Sequence, residues 1–418
     1  MVSFSLFATW FGTETCIGSS AAVYEKGLSG SRADPFGYSI CLLLMGLLLA
    51  ARLRRGKYVT LADYFRERYG SSVEKIAIWL MVPSSLFWAA AQVRAFGQII
   101  SFSTALPVTI AITLSILFVI VYTLLGGLLG DIYTDLIQGI IIAAGLISLI
   151  ILFLKHTPNL SQILGSIDSF RLSFIGPQET LLQRIDRWMV PILGSLTAQE
   201  ALSRLLAARS VPIARNACFV ACAVYLMVGL IPVFLGLVGP YVLPNISNSE
   251  QFLVTIAEGV LPKIVFIVFA GALISAILST IDSILLAISA LISHNLLVPV
   301  LGIKTEKRRI LSARFIVILS GAVSYLIALS AEGILSLVIT ASSFGTSGLL
   351  VITLMGFYTK IGSERSANLA LLGGLIIWPL TKYIFNLEAP YLASILAAVI
   401  LFLLGTWGAS KTLPPVHN

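Results

Sequence analysis

The chain has 418 residues, 58% of them hydrophobic and 11% charged, with a mean hydropathy of +0.98 and a formal net charge of +8. A water-soluble domain carries about 25% charged residues, so a soluble protein of two or three domains is excluded. Nucleic-acid binding is a poor account of the positive charge, because the basic residues fall in short stretches between apolar blocks. Those blocks approach or exceed the roughly 20 residues that cross a hydrocarbon core. The composition is that of an all-α polytopic membrane protein with the lipid bilayer as its solvent.

Taken in chain order, apolar blocks between charged or Pro/Gly-rich punctuation predict about 12 transmembrane spans. They fall at 1–24, 35–53, 73–103, 107–125, 129–154, 188–208, 212–243, 262–298, 309–330, 333–358, 366–384 and 391–408. With the amino terminus inside, the loops after even-numbered spans, counted with the span ends that flank them (Arg204 among these), and the tail hold 18 Lys and Arg, against 8 on the opposite side. The positive-inside rule favours that orientation. A multi-pass protein of the cell (inner or plasma) membrane is expected.

Polar residues within the spans mark where chemistry is possible. Span 1 is interrupted at 9–15 by TWFGTET, where Gly12 permits a break. Carbonyls freed inside a membrane must find a partner, and a cation supplies one. In span 8, Ala276, Ser279, Thr280 and Ser283 fall at i, i+3, i+4 and i+7 and share one helical face. Hydroxyls so placed serve helix packing, or ligate a hard cation such as sodium without a carboxylate.

Apart from those counted with the loops at span ends, the ionisable residues singled out within spans are Glu14, Arg94, Asp131, Asp135, Glu200 and Asp282. Such groups are costly in lipid and are functional, mutually paired or close to the interface. Trp10, Tyr38 and Trp88 come from spans 1, 2 and 3, beside the interruption. They are either interface anchors or a cage for a quaternary ammonium, each desolvated ring face contributing about 2 kcal/mol. Trp79, Trp378 and Trp407 read as interface anchors. The four cysteines lie inside apolar blocks and read as packing residues.

Five strings in order over roughly residues 1–300 resemble the sodium:solute symporter family: ATWFGTETCIG (8–18), RRGKYVTLADYFRERYG (54–70), YTLLGGLLGDIYTDLIQ (122–138), LGSLTAQEALSRLLAARS (193–210) and AGALISAILSTIDS (270–283). ATW (8–10), DPFGYS (34–39), GKYVTLAD (56–63) and FWAAA (87–91) are most similar to its high-affinity choline branch. The resemblance implies a LeuT-type five-plus-five inverted-repeat helical core of discontinuous helices at 1–358. Its repeats would be about 1–154 and 188–358, followed at 359–418 by two peripheral C-terminal helices and a short tail. Family members carry one further helix before the core. Met1 lies eleven residues before Gly12, about 16 Å of helix, so that first family helix is expected to be missing.

The resemblance also implies roles. The sodium site would be formed by the carbonyls of Ala8, Phe11 and Ala276 and the hydroxyls of Ser279 and Thr280. Thr134 and Asp135 would lie on the sodium pathway. Trp10, Tyr38 and Trp88 would form the substrate cage, with Glu14 assisting a cationic substrate or packing in protonated form. The fourth tryptophan of the choline branch's cage aligns with Ala198, a departure from the pattern. The implied activity is sodium-coupled import of a small organic solute, choline-like, cationic or zwitterionic. No enzyme activity, cofactor or nucleic-acid partner is expected, and sodium is the coupling ion. A transporter-like sensor or an inactive truncated remnant is the alternative.

Overall fold

The computed structural model describes residues 2–12 and 14–407, and for 126–136 the backbone alone. Among the described residues every regular element is a helix. That follows from the solvent: lipid offers no hydrogen bonds, so each backbone group must be satisfied within its own segment.

The first span is α1 (Val2–Trp10), a break at Phe11 and Gly12, a π-helical turn (Glu14–Gly18) and α2 (Ser19–Lys26). A kink at Asp34, with φ −136° and ψ 122°, separates it from the second span. That span comprises α3 (Tyr38–Leu44), a π turn and α4 (Ala50–Gly56). The short α5 (Leu61–Tyr69) opens on a capping box in which Thr60 and Asp63 satisfy each other's backbone N–H groups. The long α6 (Ser71–Thr104) is the third span.

Spans 4 and 5 were expected to be separate, but secondary structure runs on through α7 (Val108–His156), an interval that contains no proline. Its two apolar stretches, Val108–Leu125 and Ile137–His156, have different neighbours. In the first, Ile112 lies over Gly97 of α6 and Ile120 over Gly321. In the second, Gly139 lies against Phe7 and Ala8, and Gly145 against Phe269.

The second half opens with another broken span. It consists of α8 (Leu181–Met189), a π turn (Val190–Gly194), a 3-10 turn (Ser195–Thr197), extended Ala198 and α9 (Gln199–Leu206). Then come α10 (Val211–Val242), α11 (Lys263–Ser289) with a π-helical extension, and α12 (Glu306–Ser330). A pair bent by 41° follows, α13 (Ile334–Ser343) and α14 (Thr346–Tyr358). The chain closes with α15 (Glu364–Pro379) and α16 (Pro390–Thr406).

Every expected span thus has a helical counterpart. Among the described residues, eight stretches are long and apolar enough to cross a membrane, and the bent pair makes a ninth. The sixth span falls short because its helix is broken, and α16 because it has 17 residues. From Ala276 to Leu285, α11 is buried without interruption, which makes it a central post. The outer shell carries Leu125, Ile264, Leu326 and Trp407, apolar and exposed as lipid-facing residues should be.

Candidate functional site

The three aromatic residues expected to form a cage come together. Trp10 and Trp88 stack with centroids 5.9 Å apart, and Tyr38 completes the triangle at 5.8 and 5.7 Å. All three rings are buried. They belong to α1, α6 and α3, so the cluster forms only when the first three spans pack.

Glu14 adjoins the rings at the start of the π turn and is 1% exposed. One carboxylate oxygen accepts from Trp88 Nε1 at 3.0 Å, and the other accepts from Gln92 Nε2. Trp88 and Gln92 stand one turn apart on α6, so a single helix face positions the carboxylate. Gly12 is needed for this approach. A Cβ there would lie 2.6 Å from Glu14 Oε2 and 2.8 Å from Gln92 Oε1.

Three of the five expected sodium ligands meet in the structure. Thr280 Oγ1 lies 3.4 Å from the Ala8 carbonyl and 3.1 Å from the Ala276 carbonyl. Ala8, Phe11, Ala276, Ser279 and Thr280 are all buried. The donor set is carbonyl and hydroxyl oxygen from a half-helix end and a facing helix, which suits a hard monovalent cation. Thr134 and Asp135, like Asp131, lie outside the residues whose side chains are described.

The second break lies on the other side of Trp88. A cavity of about 10 Å³ is bounded by Ser85, Trp88, Ser195, Ala198 and Ser342, among others. Hydroxyls join it to the cage: Tyr38 OH lies 3.2 Å from Ser342 Oγ, which lies 3.0 Å from Ser195 Oγ. Glu200, buried at the start of α9, accepts weakly from Ser85 at 3.4 Å. Gly194 lets the break sit against α13, because a Cβ there would overlap the Ser342 carbonyl.

Several residues take places that sequence reading did not assign. Arg204 had been counted with the basic inner loop, yet it is buried and donates to Thr9 (3.1 Å) and Ser283 (2.6 Å). Its position four residues after Glu200 on one helical face was the available signal. Asp34, Thr15 and Tyr225 form a buried polar knot beside Trp10. Their separation in sequence concealed it. Arg94 is structural, facing Glu250 at 3.9 Å and donating to the Ala331 carbonyl at 2.9 Å. Trp79 and Trp407 are exposed as anchors should be, but Trp378 is buried, with the Lys382 ammonium 4.7 Å from its ring.

Two larger cavities approach the site from opposite ends. One of about 320 Å³ reaches Tyr38 between Lys26, Arg32 and Pro191. The other, about 680 Å³, reaches Arg204 and Ser283 from a mouth near Asp63 and Arg309. Ser283 is one turn from Ser279 and Thr280, so this second cavity leads toward the expected sodium ligands. At its mouth, burial pushes the Asp63 carboxyl up, but hydrogen bonds from His294, the Thr60 and Val59 N–H groups and Asn295 outweigh it and hold the group at about 2.

The model of the sodium:solute symporter family matches residues 1–376. The chain belongs to this family. It is 27% identical over 361 residues to high-affinity choline transporter 1 of Caenorhabditis elegans, covering 80% of this chain and 61% of that one. The Homo sapiens protein of the same name is 27% identical over 323 residues, 70% of this chain and 53% of that one. The sodium/pantothenate symporter of Haemophilus influenzae is 25% identical over 420 residues, 95% and 85% of the two chains. The chain spans little more than half the length of the choline relatives it matches.

Among solved structures, a Na+-coupled sialic acid symporter in a substrate-bound outward-open state matches with a TM-score of 0.84 at 16% identity, covering 99% of this chain and 90% of that one. Mhp1, a nucleobase-cation-symport-1 family transporter closed around bromovinylhydantoin, matches with a TM-score of 0.63 at 15% identity, covering 100% and 94%. These likenesses establish the LeuT-type helical fold of Na+-coupled transporters.

Proposed function

We propose that this member of the sodium:solute symporter family imports a small organic cation, choline-like in size and charge, in symport with sodium across the cell membrane. The observation that carries the reading is Glu14. It is a buried carboxylate held by Trp88 and Gln92 against a cluster of three aromatic rings. Ring faces and a carboxylate in one water-excluded place attract a cationic nitrogen and little else. The rings rest on one another at 5.7–5.9 Å, so a ligand enters by parting them.

A carboxylate on the solute is disfavoured. It would meet Glu14 and Glu200, while the buried arginines are engaged elsewhere. Arg32 pairs with Glu179, Arg68 and Arg171 donate to backbone carbonyls, and Arg204 donates to Thr9 and Ser283. A cation therefore fits better than a zwitterion.

Coupling follows from α1. The sodium ligands Ala8 and Phe11 and the substrate contacts Trp10 and Glu14 lie within seven residues of one broken helix. Sodium bridging this segment to Ser279 and Thr280 on α11 stabilises the arrangement that presents Trp10 and Glu14 to the solute. One sodium entering down 100 mV and a tenfold gradient releases about 3.7 kcal/mol, and a monovalent cationic solute adds about 2.3 kcal/mol of its own, together enough for accumulation on the order of 10⁴-fold.

The test is radiolabelled uptake into proteoliposomes, comparing choline, betaine, proline and pantothenate under inward sodium or potassium gradients. Choline should accumulate, and only with sodium. Accumulation of proline or pantothenate without choline overturns the cationic reading. Equal uptake under both gradients overturns the coupling.

A further inference from the structure

The phenol of Tyr225 sits among more oxygens than its hydrogen can serve. On α10, its ring meets Phe11 and Phe7 edge-on at 5.4 and 6.4 Å. Its hydroxyl oxygen lies 2.7 Å from Thr15 Oγ1, 3.1 and 3.2 Å from the two Asp34 carboxylate oxygens, and 3.2 Å from the Trp10 carbonyl. Thr15 Oγ1 in turn lies 2.9 Å from Asp34 Oδ2. Each hydroxyl carries one hydrogen. Two hydrogens thus stand among five close oxygen–oxygen contacts, all at residues no more than 3% exposed.

Two further features mark the place as electronegative, and a third fixes its geometry. Asp34 is a carboxylate within a membrane-spanning bundle, where charge must be compensated. The Trp10 carbonyl belongs to the C-terminal end of α1, the negative end of its dipole. Asp34 occupies a non-helical kink fixed by Ser19, whose hydroxyl donates to the Asp34 carbonyl at 2.7 Å.

We propose that Asp34, Thr15, Tyr225 and the Trp10 carbonyl form a second sodium site, on the flank of α1 opposite the first. The proposal rests on the symport reading. On α1 the Trp10 carbonyl falls between those of Ala8 and Phe11, but it faces α10, whereas Ala8 faces Thr280 on α11. A sodium ion would replace hydrogen-poor oxygen contacts with ligation by a carboxylate, two hydroxyls and a half-helix carbonyl, the donor set of a hard cation. A proton needs only the carboxylate and one acceptor, and would leave most of this set without purpose. Filling both sites would clamp the broken segment from two sides.

The experiment uses Asp34→Asn and Tyr225→Phe, near-isosteric changes, in the whole chain reconstituted into proteoliposomes with choline as the probe. The wild-type initial rate should depend on sodium with a Hill coefficient approaching about 2, falling to about 1 in either variant. Uptake by the variants should still require sodium, through Ser279 and Thr280. In detergent, the gain in melting temperature on replacing KCl with NaCl should shrink in both variants, a readout independent of transport. A wild-type coefficient of about 1, with or without a pH dependence that implicates a proton, overturns the second site and leaves symport standing. Variants that keep both the wild-type coefficient and the wild-type sodium-induced stabilisation overturn it too. Sodium-independent uptake by the wild type overturns the symport reading itself.

Discussion

The break at Phe11 and Gly12 and the break between Gly194 and Ala198 are lined by different chemistry, though both reach α6. Trp88 of α6 donates to Glu14 beside the first, and Ser85 of the same helix donates to Glu200 beside the second. The first break gathers an indole, a carboxylate and freed carbonyls, the means of holding charge. The second gathers Ser195, Thr197 and Ala198, small residues and hydroxyls. On the function proposed above, the first break would select by charge through Glu14, and the second would set volume and hydrogen bonding, its own carboxylate Glu200 being turned to Ser85. Substitutions that separate charge from volume test this division.

The largest effect is expected at the charged break. Glu14→Gln keeps the shape and, once the Gln92 amide turns to present its oxygen, the contacts to α6, but removes the buried charge opposite the proposed cationic solute. Removing one partner of a buried charge pair costs about 2–5 kcal/mol, an affinity loss of at least about thirtyfold. Half-saturation for choline should rise by that factor while sodium dependence persists. An unchanged value would show that the carboxylate packs rather than binds.

The two glycines should fail in different ways. Gly194→Ala drives a Cβ into the Ser342 backbone carbonyl, which cannot swing away. Overpacking of this kind costs about 1–3 kcal/mol, so a lower melting temperature is expected. Gly12→Ala meets only the ends of the Glu14 and Gln92 side chains, which can move. It should spare stability and weaken solute binding, because Glu14 is displaced. Equal melting shifts in the two variants would contradict the distinction.

Ser279→Ala with Thr280→Ala removes two oxygens from the facing helix and leaves its packing nearly intact. Each lost hydroxyl ligand is comparable to a hydrogen bond to a charged group, about 1.5–3 kcal/mol at most. Sodium half-saturation in uptake should rise about tenfold or more. An unchanged value would move the ion elsewhere.

What the sequence reveals depends on how far apart the partners lie along the chain. The contact of Thr280 with Ala276 was legible because the two lie on the same helix face, one turn apart. The helical segments were legible because lipid imposes length and apolarity on each separately, though twelve spans were expected and nine stretches among the described residues meet that test when the bent pair is included. The cage rested on resemblance, since nothing in the spacing of Trp10, Tyr38 and Trp88 reveals that three spans bring them together. Asp34 and Tyr225 are 191 residues apart, and no periodicity links a kink in one span to a phenol in another. Arg204 was misread for a related reason. Counting charge by loop treats every arginine near a span end as solvated, whereas this one turns inward to Thr9 and Ser283.

The smallest expected effect, and the sharpest test of volume against charge, is at Ala198. It borders the cavity beside Trp88 where relatives of the choline branch are expected to place a fourth ring. If the second break only sets volume, Ala198→Trp should add a wall without altering charge. A further ring face near a desolvated ammonium contributes about 1–2 kcal/mol, which would tighten choline binding about five- to thirtyfold. Ala198 is partly exposed and extended rather than locked within a helix, but the adjoining cavity holds only about 10 Å³, so the new ring fits only as the cluster opens around a solute. A bulkier native solute gives the opposite sign, since the new ring takes the space that solute occupies and uptake falls. Combining Ala198→Trp with Glu14→Gln separates the two contributions. Independent effects would add within about 0.5 kcal/mol, whereas a gain that vanishes without Glu14 would mean that the second break also acts through charge.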